Sequence, residues 1–191
     1  MKKALIILAV IFGILLVVGI GVFSWVRGTY NTMVTMDEEV NAAWAQLENV
    51  LQRRFDLIPN LVETVKGYAS HESETLIRVT EARAKVGGAG TPAARMQAEG
   101  ELTSALSRLM VVVENYPDLK ANQNFLSLQV QLEGTENRIS VERGRYIATV
   151  KSFNQFLRRF PTNILAGMFG FKPRETFEAA EGADVAPKVK F

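Results

Sequence analysis

Cysteine is absent from this chain, which excludes disulfides, thiolate metal sites and a thiol nucleophile, and leaves the redox compartment open. Histidine occurs once, as His71. It begins HESET, the first half of a helical zinc-protease pattern, but Thr75 stands where the second ligand is required. His71 sits in a loop-like stretch, so no serine is given a base to activate it. The glycines of GGAG (87–90) lack the Lys and Ser or Thr of a phosphate loop and follow a helical pattern rather than a strand, so they read as a turn. Charge of one sign is also missing. With Lys2, Lys3 and Arg27 set aside as flanks of an apolar segment, 19 of the 22 Lys and Arg remain against 20 Asp and Glu, which gives no nucleic-acid footprint. No cofactor, metal ligand set or catalytic constellation emerges, and the chain reads as a non-enzyme.

What is present is apolar and helical. Residues 4–26 form an uncharged run of 23, which at ~1.5 Å per residue spans ~35 Å, enough for a ~30 Å hydrocarbon core. The run exceeds the ~7–15 apolar residues of a signal peptide, and GVFSW offers no small-x-small cleavage site, so it reads as a retained anchor. Lys2 and Lys3 before it and Arg27 after it favour an N-terminus in the cytoplasm and a domain outside. Trp25 and Tyr30 fit an interfacial aromatic belt.

Beyond the anchor, Val40, Trp44, Leu47, Leu51, Phe55, Ile58, Val62, Val65 and Ala69 recur at threes and fours, the stripe of one long helix over residues 30–68. Pro59 falls inside it and predicts a kink. Charges at Glu72, Glu74, Arg83 and Lys85 frame a short second helix. Thr91 as N-cap and Pro92 at the first helical position open a third, with Leu102, Leu106, Leu109 and Val113 on one face. A fourth is expected from 118 to 160, because Phe125, Leu132, Ile139, Tyr146, Phe153 and Phe160 repeat every seven residues.

The expected fold is therefore all-α, an N-terminal transmembrane helix followed by an antiparallel up-and-down four-helix bundle with two long and two short helices. The expected organisation is an anchor over 1–27, a bundle domain over 28–172 and a loosely ordered tail over 173–191. Arg54 lies inside the apolar stripe and needs a partner, and antiparallel pairing of the long helices brings Glu133 or Glu136 level with it as a register lock. Asn60, Asn122, Asn124, Gln129 and Asn137 add a polar set of amides along the same helices. Ile164, Leu165, Met168, Phe169 and Phe171, returning toward the anchor, are candidates for contact with the membrane interface, and the alternative is that they fold back on the helix ends as ordinary core.

The runs VNAAWAQLENVLQRRFDLIPNLVETVKGYASHE, TEARA, YPDLKANQNFLSLQ, TENRI and FPTNILAGMFGF closely resemble bacterial LemA proteins over essentially the whole chain. It departs at RGRYIATV, where Ile147 stands in place of a frequent asparagine. The resemblance implies one N-terminal transmembrane helix and a helical bundle, with no catalytic residues to carry over. It links the chain to envelope functions, membrane metalloproteases or the building of internal membranes, and implies an outside N-terminus, opposite to the charge count. Together these readings predict a self-associating interaction or scaffold protein of the bacterial cytoplasmic membrane. The alternative is an adaptor or regulator of a membrane protease or other membrane complex. The expected partners are the lipid bilayer, further copies of the chain and, for the alternative, that membrane protein.

Overall fold

A computed structural model describes residues 2–175, and among them every regular element is helical: α1 (Lys2–Lys66), α2 (Ser73–Gly88), α3 (Pro92–Val113), α4 (Pro117–Lys120), α5 (Gln123–Arg158) and α6 (Thr162–Phe169). Of the expected tail, residues 176–191 lie outside the described residues. The anchor and the first bundle helix are one element. Between the apolar run and Asp37, the sequence GTYNTMVTM offers no proline and one glycine, and nothing in it competes with continued helix.

Two compact units form. In the unit Ala42–Ala148, a core built by Ile58, Leu61 and Val65 of α1, Val79 and Val86 of α2, Leu102 and Leu109 of α3, Leu119 of α4 and Phe125 of α5 excludes water. Thr91 caps α3 by accepting from the Ala94 amide at 3.2 Å, with Pro92 in the first turn. The long helix expected from 118 is interrupted. Asn122 Oδ1 accepts the amides of Asn124 at 2.9 Å and Phe125 at 3.0 Å, so the chain restarts there as α5 behind a new cap. The antiparallel register of α1 against α5 is constant across this unit: Trp44 stacks edge-on with Tyr146, Arg54 meets Glu136, and Tyr68 just beyond α1 meets Asn122 just before α5. Ten residues along one strand of the pair answer ten along the other, and fourteen answer fourteen.

Pro59 does not end α1. Its missing amide leaves the Phe55 carbonyl without an i+4 donor. Arg83 of α2 supplies one: its Nε donates to Phe55 O at 3.1 Å, and its guanidinium lies 3.8 Å over the Phe55 ring. Gly87, one turn further along α2, lies against the ring, and a Cβ there would just touch it at 3.4 Å.

The other unit holds Met1–Asn41 with Thr149–Arg174. Met33, Val40, Val150, Phe153, Leu157, Leu165 and Ala166 are buried. The seven-residue repeat of α5 is buried from Phe125 through Phe153, but its last member, Phe160, is 81% exposed. The helix stops at Arg158, so Phe160 no longer occupies a helical position. The Phe160–Pro161 peptide is cis. Gly170, at φ 78°, takes the left-handed conformation that ends α6 and lets the Phe171 amide donate back to Ala166 O at 2.9 Å.

Candidate functional site

Two groups of sequence-marked residues come together, one in each unit. In the unit Ala42–Ala148, α1 carries Arg54 into the interior, where it is 4% exposed. Its Nη1 lies 2.7 Å from Glu136 Oε2 on α5 and 3.5 Å from Glu99 Oε2 on α3, and its Nη2 donates to Thr103 Oγ1 at 3.0 Å. Glu133, the other expected partner, is not in this cluster. One residue off the inward face is enough to turn it to solvent, and it accepts from Gln129 of its own helix at 2.9 Å. Beside the cluster, Arg95 Nη1 donates to Glu48 at 3.0 Å.

Glu99 is the member that sequence reasoning missed. It is 3% exposed, and its Oε1 is a buried oxygen without a hydrogen-bond partner, as is the Nε of Arg95. The signal was available, because Glu99 stands three residues before Leu102 and seven before Leu106, on the apolar face of α3. Burial raises its carboxyl above the ordinary carboxylate value, Arg54 and Arg95 oppose the rise, and Glu136 adds to it.

Arg54 and Glu99 are buried, and Glu136, half exposed, joins them to the surface. Among the described residues the unit has clefts away from this cluster, including one of about 530 Å³ between α2 and α3, lined by charges of both signs including Arg78, Lys85, Glu101 and Arg108, and one of about 420 Å³ where Asn60 of α1 faces Asn124 and Gln131 of α5. Neither is lined by Arg54 or Glu99. The expected amides thus divide, with Asn60 and Asn124 sharing a cleft, Asn122 capping α5, and Asn137 exposed. Among the described residues no three His, Asp or Glu side chains gather in a metal-holding arrangement.

In the other unit, Tyr30 of α1 receives Phe169 edge-on at 4.9 Å and Phe171 at 5.9 Å between ring centroids. Trp25 is exposed five residues earlier on the same helix. Leu165, a candidate for the membrane interface, is buried together with Thr162 and Ala166, which agrees with the alternative of ordinary core at that position. A helix with apolar residues on both sides must turn one side inward, and 162, 165 and 166 form that side. Ile164 and Met168 point the other way, 54% and 72% exposed. The chain after α6 is clamped: Asn154 of α5 holds both backbone groups of Arg174 at 2.8 Å, and the Arg174 guanidinium reaches Asp37 of α1 at 2.9 Å.

A helix with an exposed apolar run joined to a bundle can be compared with known proteins. A sequence model of the LemA family matches residues 43–191. The chain belongs to the LemA family. The matched region includes the Arg54 cluster, Pro59 and α6. Among LemA-related proteins, the chain is 29% identical over 181 residues to magnetosome protein MamQ 2 of Paramagnetospirillum magneticum, covering 81% of this chain and 66% of that relative. It is 26% identical over 189 residues to magnetosome protein MamQ of Magnetospirillum gryphiswaldense, covering 84% and 70%. To protein LemA of Metamycoplasma hominis it is 26% identical over 172 residues, covering 89% and 78%. The chain thus spans about two thirds of the length of the first of these relatives, 66%. Among the described residues one helix, near the N-terminus, is long and apolar enough to cross a membrane, and its apolar window is wholly unburied. Family and helix together describe a membrane-associated protein with one candidate span among the described residues.

Proposed function

We propose that this LemA-family chain is a non-enzymatic, membrane-anchored interaction or scaffold protein of the bacterial cell envelope, acting through its helical surfaces and through self-association. The observation that carries the reading is α1: an exposed apolar span continues without a break into a bundle whose most buried charges are engaged with one another rather than arrayed around a cleft. Confinement to two dimensions raises the effective concentration of every copy and favours weak contacts between exposed helix faces. The magnetosome-protein relatives support the membrane-associated part of the reading.

Mass measurement of the intact assembly, extracted from native membranes in mild detergent, tests it. The expected result is a mass equal to several copies of the chain, and a strict monomer sinks the scaffold. A second reading, an adaptor for a membrane protease or other membrane complex, is supported by the mixed-charge cleft between α2 and α3, and one stoichiometric foreign partner in the same measurement would favour it. The flanking lysines support a cytoplasmic-membrane orientation with the bundle outside. Since native cysteine is absent, a Ser107→Cys variant reports this directly, and it is expected to react with an impermeant maleimide outside the cytoplasm.

A further inference from the structure

We infer that α6 is a second membrane contact, an interfacial helix that lays an apolar stripe on an anionic lipid surface. Ile164 and Met168 stand four residues apart on α6 and are 54% and 72% exposed, and Phe160, in the turn just before the helix, is 81% exposed. The opposite side of the helix is already occupied by the core of its unit, through Leu165 and Ala166. So the outward side is a surface of its own, and bulky apolar groups at helical spacing are unfavourable in water.

What covers this stripe follows from where it is tied. Phe169 and Phe171 pack on Tyr30, and Tyr30 lies four residues past the last apolar residue of the span, about 6 Å along the helix axis. That is within the headgroup layer, which occupies roughly 5–8 Å on each side of the hydrocarbon core. The placement rests on the reading of α1 as a membrane span. Charge selects the lipid. From 151 to 174 there are five Lys or Arg and no Asp or Glu. Arg174 is engaged by Asp37, while Arg158, Arg159 and Lys172 are exposed on either side of α6. An apolar stripe tied at headgroup height through Phe169 and Phe171, with cations next to it in sequence, has the chemistry of an amphipathic helix on phosphatidylglycerol-like phosphates.

The test uses the full chain reconstituted in vesicles of phosphatidylcholine alone, or of equal parts phosphatidylcholine and phosphatidylglycerol, with brominated acyl chains as quenchers. A single introduced cysteine carries the fluorophore at one of three places: Met168→Cys on the stripe, Gly13→Cys in the span, or Val111→Cys, which replaces a side chain 70% exposed on α3. The expected result is strong quenching at 13 and, in anionic vesicles, at 168, about threefold or more above that at 111. Arg158→Gln with Arg159→Gln is expected to lower the bound fraction at 168 by about fivefold per charge removed, and added salt to act the same way. Quenching at 13 without quenching at 168 overturns the inference and leaves the anchor standing. Absence of quenching at both overturns the anchor reading itself. Equal quenching at 168 in both lipids overturns the choice of anionic lipid, and disulfide capture between two copies at 168 without quenching assigns the stripe to self-contact instead. Circular dichroism of each labelled variant separates these outcomes from a failure to fold.

Discussion

Arg54 and Glu99 lie almost dry 3.5 Å apart, with Glu136 at 2.7 Å as the nearer partner of Arg54. Replacing Arg54 by Ala leaves a carboxylate without its cation, and at neutral pH the expected loss is about 3–5 kcal/mol of unfolding free energy. Glu136, half exposed, can turn to water and contributes little of that. The loss shrinks in acid, where Glu99 accepts a proton and the stranded charge disappears. Glu99 itself has a raised folded-state value against the ordinary 4.5, so the folded chain holds that proton more tightly than the unfolded chain does. The stability this adds is complete below the unfolded value and is lost as pH rises through the folded one. Relative to Glu99→Gln, wild type is therefore expected to lose ground between acid and neutral pH. Thermal melts of both across that range measure it, and parallel curves would remove Glu99 from the account. Arg54 was legible in the sequence because a charge interrupts an otherwise apolar stripe. Glu99 was legible only by counting back three and seven residues from Leu102 and Leu106, because Ala98, Gly100 and the short polar residues around it blur the apolar face of α3.

Each helix end and interruption here has a local cause, and those causes set how far the sequence could be read. The long periodic stripe of α1, the Thr91–Pro92 start of α3 and the seven-residue repeat of α5 announce themselves, since each is a regular spacing or a cap of known type. The restart at Asn122 was hidden, because an asparagine within a helical pattern is marked as a cap only by the amides it accepts. Pro59 was visible as a perturbation, but its repair was not. The donor that replaces the lost hydrogen bond comes from α2, twenty-eight residues away along the chain, and nothing in the local pattern points to Arg83. If Arg83 compensates for the proline, Arg83→Met should cost about 1–3 kcal/mol in the native background, by stranding the Phe55 carbonyl. In a Pro59→Ala background, where residue 59 can donate to that carbonyl itself, the same change should cost clearly less. Urea unfolding of the four proteins closes the cycle, and a coupling energy near zero would dismiss the repair.

At the scale of the molecule, the all-α class and the apolar span followed from helical spacing and one long uncharged run, whereas the exposed position of Phe160 depends on where α5 stops. The unbroken course of α1 from its apolar run to Tyr30 has one more implication, which is geometric. A helix is a screw, so a residue inserted just after Arg27 both lifts and turns whatever follows, by about 1.5 Å and 100°. Two inserted residues raise Tyr30 by only about 3 Å while swinging it through roughly 200°, whereas seven raise it by about 10 Å and return it to within some 20° of its original azimuth. A flat bilayer is indifferent to azimuth and sensitive to height. A neighbouring copy of the chain is the reverse, since a matched face must point at its partner. Lipid quenching at position 168 is therefore expected to survive the two-residue insertion and vanish with seven, while assembly mass should collapse with two and persist with seven. The pitch of one helix thereby separates what the protein owes to the membrane from what it owes to its own kind.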